Sequence, residues 1–359
     1  MFRSAAARCT RLLQSSIGTR SFTSLPVIDV GPLVDPAAPR ESVTAVAQQL
    51  HKACRDVGFF YIQNHGVPQH VTEGVLQQAH KWFALPAEVK ASLLLSPASH
   101  YRGYQPLGIN VTRHESGFVQ DWHEALDLFR EEDAAAVKAA GRPPSVLHGP
   151  NLWPDQLPGF STALRAYIDA CLTLGEQLLR GIALGVGLPE AYFGGQLAGP
   201  AGSYWVARVI HYPPLQQVGQ QQAAAAAGGE VGREVQLSCG EHCDYGLLTL
   251  VNQDPHVTAL QVKNASGQWV DAPPLPGTFV CNIGDMFQVL TNGMYKATLH
   301  RVLNTARGTP RMSAPFFYEP CFEAVLAPAP QLCRGQPPLF QPIRYGSHLE
   351  SKVLSNFEL

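Results

Sequence analysis

Apolar residues in the first half of the chain recur at the spacing of one helix face. In "ESVTAVAQQLHKACRDVG", residues 41–58, they fall at Val43, Val46, Ala47, Leu50, Ala53, Cys54 and Val57. Gly58 ends the run, as a glycine just past the last turn commonly does. The pattern predicts a second helix over Gln69 to Leu85 and a long third one around Leu157 to Gly187. Two β-rich runs stand apart from these: "LPVIDVGPLV" (25–34), which enters a Gly-Pro turn, and "FFYIQNHGVP" (59–68). The first half therefore reads as mostly helical with a few strands.

The second half changes period. Short β-rich runs follow one another: "SYWVARVIHY", "LLTLVNQ", "ALQVKN", "QWVDA", "GTFVCNIG", "YKATLHRVLN" and "RMSAPFFYEP". Gly, Pro, Asn and Asp separate them, and "NASG" (264–267) has the chemistry of a hairpin turn. Evenly spaced strands with turn punctuation point to a sandwich or jelly roll, not a parallel α/β sheet. The low-complexity stretch 216–232, rich in Gln, Ala and Gly, reads as a surface insertion.

Composition narrows the partners. The chain has 359 residues, 45% hydrophobic and 15% charged, with formal net charge −2. That balance gives no basis for binding nucleic acid or an anionic membrane. No apolar run of about 18 residues suggests a span. The eight cysteines lack CxxC spacing and are expected to be reduced thiols. The N-terminus differs from the rest: residues 1–24 hold Arg3, Arg8, Arg11 and Arg20 and no acid. On a helical wheel Phe2, Ala6, Cys9, Leu13 and Ile17 face one way and Arg3, Arg8 and Arg11 the other, the pattern of an organellar presequence. A mitochondrial address is expected, with plastid or cytoplasm as alternatives. Residues 1–30 fused to a fluorescent reporter should carry it into mitochondria; a diffuse cytosolic signal would speak against the presequence.

The candidate chemistry lies in "GEHCDYGLLTLVNQD" (240–254). His242 and Asp244, read as i and i+2 of one strand, would face the same spot, with Cys243 facing away. His300, inside "KATLHRVLN", is a histidine on a second apolar strand and needs a partner there. Alone it would be an ordinary core histidine. Two imidazoles and a carboxylate together are the ligand set of non-haem Fe(II) oxygenases, with open positions left for substrate and O2. On the next strand Arg311 and Ser313 again share a face. A guanidinium beside a hydroxyl is a fork for a carboxylate, either of a ligand or of an Asp or Glu of the protein itself.

In these motifs the chain resembles the Fe(II)/2-oxoglutarate-dependent dioxygenases, in the branch that includes isopenicillin N synthase and the plant 2-oxoglutarate oxygenases. "LPVIDVGPL", "ACRDVGFFYIQNHGV", "HYPP", "HCDYGLLTLVNQD", "FVCNIGDMFQVLTNGMYKATLHRV" and "RMSAPFFYEP" follow the family's order, and "YRGYQ" and "HEALD" are nearest in texture to plant and fungal members. The resemblance implies a mainly β fold with α: a double-stranded β-helix (jelly roll) over about 201–320, braced by helices of an N-terminal region, 25–200. A C-terminal tail, 321–359, would close over the mouth. It implies His242, Asp244 and His300 as iron ligands, and Arg311, Ser313 and Tyr212 around 2-oxoglutarate. Ile210 stands where many plant members have Asn. "NIGD" (282–285) is expected to be a turn and packing feature. Tyr101, Arg102, Tyr104 and His123 are candidates for the pocket mouth. The implied reaction oxidises a small molecule by hydroxylation or desaturation, consuming O2 and 2-oxoglutarate, releasing succinate and CO2 and supported by ascorbate. A monomer is expected. The alternative is an iron oxidase of the isopenicillin N synthase or aminocyclopropane-carboxylate oxidase type, in which Arg311 and Ser313 hold the substrate's own carboxylate.

Overall fold

The computed structural model describes residues 22–114, 117–194, 197, 202–214, 237–303 and 309–355. Nearly all of the expected presequence, and the insertion at 216–232, lie outside the described residues.

The first half contributes strands β1 (Val27–Asp29), β2 (Phe59–Gln63), β3 (Gly103–Gln105), β4 (Val111–His114), β5 (Gly117–Gln120) and β6 (Glu124–Phe129). The second half contributes β7 (Val206–Tyr212), β8 (Leu237–His242), β9 (Leu248–Gln253), β10 (Leu260–Lys263), β11 (Trp269–Asp271), β12 (Phe279–Ile283), β13 (His300–Leu303) and β14 (Arg311–Tyr318). An eight-stranded main sheet runs in the order β1-β2-β12-β9-β14-β7-β6-β3, and a four-stranded sheet in the order β11-β10-β13-β8. Apart from the parallel pair β1–β2, the strands of both sheets pair antiparallel. The boundary drawn at 200/201 does not separate two sheets. β2 pairs with β12 and β6 with β7, so the N-terminal region widens the jelly roll's own main sheet.

Alternation along the strands sorts side chains to two faces. Phe60 and Ile62 of β2, Leu248 and Leu250 of β9, Phe279 and Cys281 of β12, and Ala314 and Phe316 of β14 join the helix-side core. Phe59, Tyr61, Ile210, Tyr212 and Val280 point the other way. They meet Leu260, Val262 and Val302 of the small sheet. The site is built in this interior between the sheets.

The helices cover the outer face of the main sheet. Arg40–Asp56 buries Val46, Ala47, Leu50, Ala53 and Cys54, the face expected from its spacing. Gln69–Phe83 and Pro158–Gly185 also match their apolar patterns. Pro158 opens the long helix, where its fixed φ suits the first turn and its missing N–H costs nothing. Tyr167 donates to the Ala314 carbonyl at 2.6 Å and ties that helix to β14. At Gly175 a Cβ would run into the Tyr318 ring, so helix and strand can touch only there without a side chain. "NASG" turns β10 into β11, with Gly267 at φ 81° and its N–H on the Asn264 carbonyl.

The main departure from the pattern is β6, which periodicity does not mark as a strand. Both of its faces are buried, and its polar residues have partners inside the fold: Glu124 with Lys90, Tyr104 and His211, and Asp127 with Arg208. The C-terminal helix Tyr345–Ser355 packs beside the site loop, although it was expected to close over the mouth. The Tyr345 hydroxyl donates to Glu319, and His348 Nε2 lies 3.2 Å from Asp285 Oδ2. Asp285 Oδ1 in turn accepts from the Gly246 N–H. Gly246 has φ +85°, and a Cβ there would collide with the Glu319 carboxylate, so only glycine lets this loop lie against the tail's partners.

Candidate metal centre

Among the described residues, His242, Asp244 and His300 offer ligand atoms that all lie within 4.8 Å of one another. Their route to this point differs from the expected one. β8 ends at His242, and Asp244 lies past the strand end, so the two do not share a strand face. His242 is instead the cross-strand partner of His300 in β13, with ring centroids 4.2 Å apart. The chain then turns Asp244 back between them. Its Oδ1 stands 3.6 Å from His242 Nε2 and 3.5 Å from His300 Nε2.

The groups behind the ligands set their orientation. His242 Nδ1 sits 2.8 Å from the Gly240 carbonyl and His300 Nδ1 3.1 Å from the Thr298 carbonyl. Each ring can therefore donate from Nδ1 and keep Nε2 turned to the shared point, the arrangement metal-binding histidines require. Asp244 Oδ2 accepts from Thr249 Oγ1 at 2.6 Å and from Asn282 Nδ2 at 2.7 Å, leaving Oδ1 for the metal side. Burial alone would raise the Asp244 carboxyl. His300, then His242 and Thr249, more than reverse this and hold it well below the usual carboxylate range. Two imidazoles and one carboxylate converging on one point fit a divalent iron. Cys243 points elsewhere, its thiol 3.5 Å from the Ala297 carbonyl.

Asn282 was expected to serve packing alone, and the structure gives it a second duty. It sits on β12, across from Thr249 of β9, and the two grip one oxygen of the ligand carboxylate. Asn282→Ala should weaken Fe(II) affinity by about 10- to 100-fold, the usual effect of removing such a partner. Equilibrium dialysis of iron against the variant measures it, and an unchanged affinity would return Asn282 to packing.

Arg311 lies deeper in the same interior and is only 2% exposed. It pairs with Tyr212 across β14–β7, and its guanidinium carbon is 4.7 Å above the Tyr212 ring. Nη2 donates to Gln253 Oε1 at 2.8 Å, while Nε and Nη1 are buried with no hydrogen-bond partner. No carboxylate of the described residues pairs with it. Ser313, two positions on and facing Ile210, is also buried. Burial pushes the Tyr212 phenol up, with the Arg311 charge and a hydrogen bond to Ser313 acting against it. Two orphaned guanidinium nitrogens are costly unless an anion meets them. Nη1, at the end of the fork beside Nη2, is placed to meet a carboxylate.

The four pocket-mouth candidates divide. His123 is buried beside Tyr212, with ring centroids 5.8 Å apart, and its Nδ1 lies 2.7 Å from the Ser238 carbonyl. Burial, then the Arg208 charge, lower its pKa, so it lines the interior as a neutral ring. Tyr104 faces the helix side, where its hydroxyl donates to Glu124 at 2.5 Å. Arg102 is 0% exposed, and its guanidinium is spent on Asn151 and on the carbonyls of Leu147 and Arg130, so it is a structural strut and not part of a pocket. Tyr101 is half-buried against the helix-side core.

Comparison with known proteins agrees with this geometry. Residues 25–156 match the N-terminal family described as non-haem dioxygenase in morphine synthesis, and residues 206–320 match the 2OG-Fe(II) oxygenase superfamily. A homoarginine-6-hydroxylase of Arabidopsis thaliana is 41% identical over 350 residues, covering 94% of this chain and 99% of that protein. The chain belongs to the 2-oxoglutarate–Fe(II) oxygenase superfamily. Its fold is the superfamily's jelly roll. A full-length Neurospora crassa protein, solved with α-ketoglutarate and thymine, superposes with a TM-score of 0.76 at 25% identity, over 92% of this chain and 96% of that one. The 1-aminocyclopropane-1-carboxylate oxidase of Dictyostelium discoideum is also similar, but at 31% identity over 84% of this chain and 83% of that protein. The stronger match is to 2-oxoglutarate-dependent hydroxylases. This superfamily member is therefore an Fe(II)- and 2-oxoglutarate-dependent dioxygenase acting on a small molecule. No helix among its described residues is long and apolar enough to cross a membrane, and none of the seven cysteines among them is in a disulfide.

Proposed function

We propose that this dioxygenase hydroxylates a guanidino amino acid of the homoarginine type. In this reading His242, Asp244 and His300 hold Fe(II), while Arg311 and Ser313, beside Tyr212, hold the distal carboxylate of 2-oxoglutarate. The observation that carries the site assignment is Arg311, buried in the interior with two guanidinium nitrogens that have no partner among the described residues. The substrate class rests on the homoarginine-6-hydroxylases, 39–41% identical over 94–98% of the chain.

When bound, iron and 2-oxoglutarate supply the oxidising chemistry, with O2 consumed and succinate and CO2 released. The chain's share is positional. The Nδ1 hydrogen bonds of His242 and His300 fix which nitrogen faces the metal. Thr249 and Asn282 hold Oδ2 of Asp244 and keep its carboxylate turned inward. Arg311 and the Tyr212 ring set how 2-oxoglutarate enters, and the apolar residues between the sheets exclude water from the reacting groups. A mitochondrial location and a monomeric state complete the proposal.

The test is to incubate purified protein with Fe(II), ascorbate and 2-oxoglutarate in the presence of homoarginine, arginine or lysine. Mass spectrometry should find one added oxygen on homoarginine. If none of these amino acids gains oxygen while succinate still forms, the substrate class is wrong and the dioxygenase assignment stands.

A further inference from the structure

A second arginine faces the interior, and neither the metal nor 2-oxoglutarate accounts for it. Arg208 lies on β7 two and four positions before Ile210 and Tyr212, and so on their inner face. Its cross-strand partner is Asp127 of β6. Arg208 Nε donates to Asp127 Oδ1 at 2.7 Å and Nη2 reaches Gln105 Oε1 at 3.5 Å, while Gln105 Nε2 holds Asp127 Oδ2 at 2.5 Å. Asp127 and Gln105 thus grip one edge of the guanidinium. Among the described residues nothing takes Nη1, and the Arg208 side chain keeps 24% of its surface open, against 10% for Asp127. A partly exposed cation fixed at one edge leaves its other edge for a ligand.

Its surroundings are those of the reaction cavity. The Arg208 charge acts on His123, which packs beside Tyr212. The charges of both Arg208 and Asp244 act on the Cys239 thiol, so this arginine and the metal cluster border the same thiol. Cys239 itself approaches His242 Nδ1 at 3.7 Å. The interior therefore has a guanidinium at each of two places, Arg311 over the Tyr212 ring and Arg208 on the strand face that Tyr212 shares. A single 2-oxoglutarate occupies one of them.

We propose that Arg208, held by Asp127 and Gln105, is the specificity residue that receives the carboxylate of the substrate. This deepens the guanidino amino acid reading and rests on it. The similar hydroxylases are named for attack at carbon 6 of homoarginine, the end of the chain remote from the carboxylate. An enzyme acting there must hold the carboxylate away from the metal, and Arg208 takes its partners from Asp127 and Gln105 and not from the metal ligands. Asp127 and Gln105 are positioning residues. They act by fixing the fork, and Asp127 also offsets the charge of Arg208 when no substrate is present. An ammonium at position 208 would lack the planar donor pair.

The test compares homoarginine with its decarboxylated analogue, which keeps the guanidinium and lacks the carboxylate. The wild type should prefer homoarginine. Arg208→Gln should raise the KM for homoarginine by about ten- to a hundred-fold, the loss expected for a charge-assisted hydrogen bond. Its KM for 2-oxoglutarate should not move, and its kcat/KM for the analogue should not fall, so that the preference disappears. Because Arg208→Gln leaves Asp127 buried and unpaired, the double variant Arg208→Gln/Asp127→Asn is measured beside it and should show the same loss of preference. Equal losses on both substrates in both variants, or an unchanged KM for homoarginine, would overturn the role of Arg208 and leave the function intact. A wild type inert toward homoarginine overturns the function itself, and the anchor with it.

Discussion

Asp244→Ala should abolish Fe(II) binding and all succinate formation while the protein still folds. Among the described residues its carboxylate is the anion of the cluster where the His242 and His300 Nε2 atoms converge. Without it two neutral imidazoles remain, a weak set for a hard divalent ion. Folding should survive because Asp244 lies beyond the end of β8 and contributes no ladder hydrogen bond to the small sheet. The structural cost falls on Thr249 and Asn282, which lose their acceptor. Asp244→Asn separates the two effects, since it removes the charge and keeps an oxygen for those donors. Both variants should show no bound iron by elemental analysis and a cooperative melt. Full iron occupancy in either would move the metal elsewhere.

Arg311→Ala should raise the KM for 2-oxoglutarate by about ten- to a hundred-fold, because charge-assisted hydrogen bonds contribute roughly 1.5–3 kcal/mol each. Iron binding should persist, since Arg311 is not among the ligands. Arg311→Lys should recover only part of the loss, because an ammonium cannot present a planar donor fork. Ser313→Ala should cost less, because the guanidinium remains. Succinate formation is measured against 2-oxoglutarate concentration. A shift confined to the KM of the organic substrate would instead place that substrate's carboxylate on Arg311, as in the oxidase alternative.

The elements legible in the sequence are those with one apolar face. Helices 40–56, 69–83 and 158–185 show it plainly because their outer faces meet water. Strand β6 is hidden because Glu124 and Asp127 carry partners from distant parts of the chain, and no local period encodes a buried ion pair. The three metal-cluster residues are visible as chemistry, but their assembly is not. Spacing of i and i+2 puts His242 and Asp244 on one strand face, whereas the strand ends between them and His300 is the true cross-strand partner. Asn282 gives no signal, since its partner Asp244 is 38 positions away and amide side chains in strands are usually packing groups. Arg102 misleads for the opposite reason. A cation in a loop suggests a pocket, and only the fold shows its carbonyl partners.

The central claim is that this chain couples 2-oxoglutarate to substrate oxidation at the His242–Asp244–His300 cluster. The most direct measurement is a side-by-side assay of succinate and oxidised homoarginine, with and without 2-oxoglutarate. The account predicts the two products in equal amounts with 2-oxoglutarate and neither without it. Oxidised substrate formed in the absence of 2-oxoglutarate would contradict it.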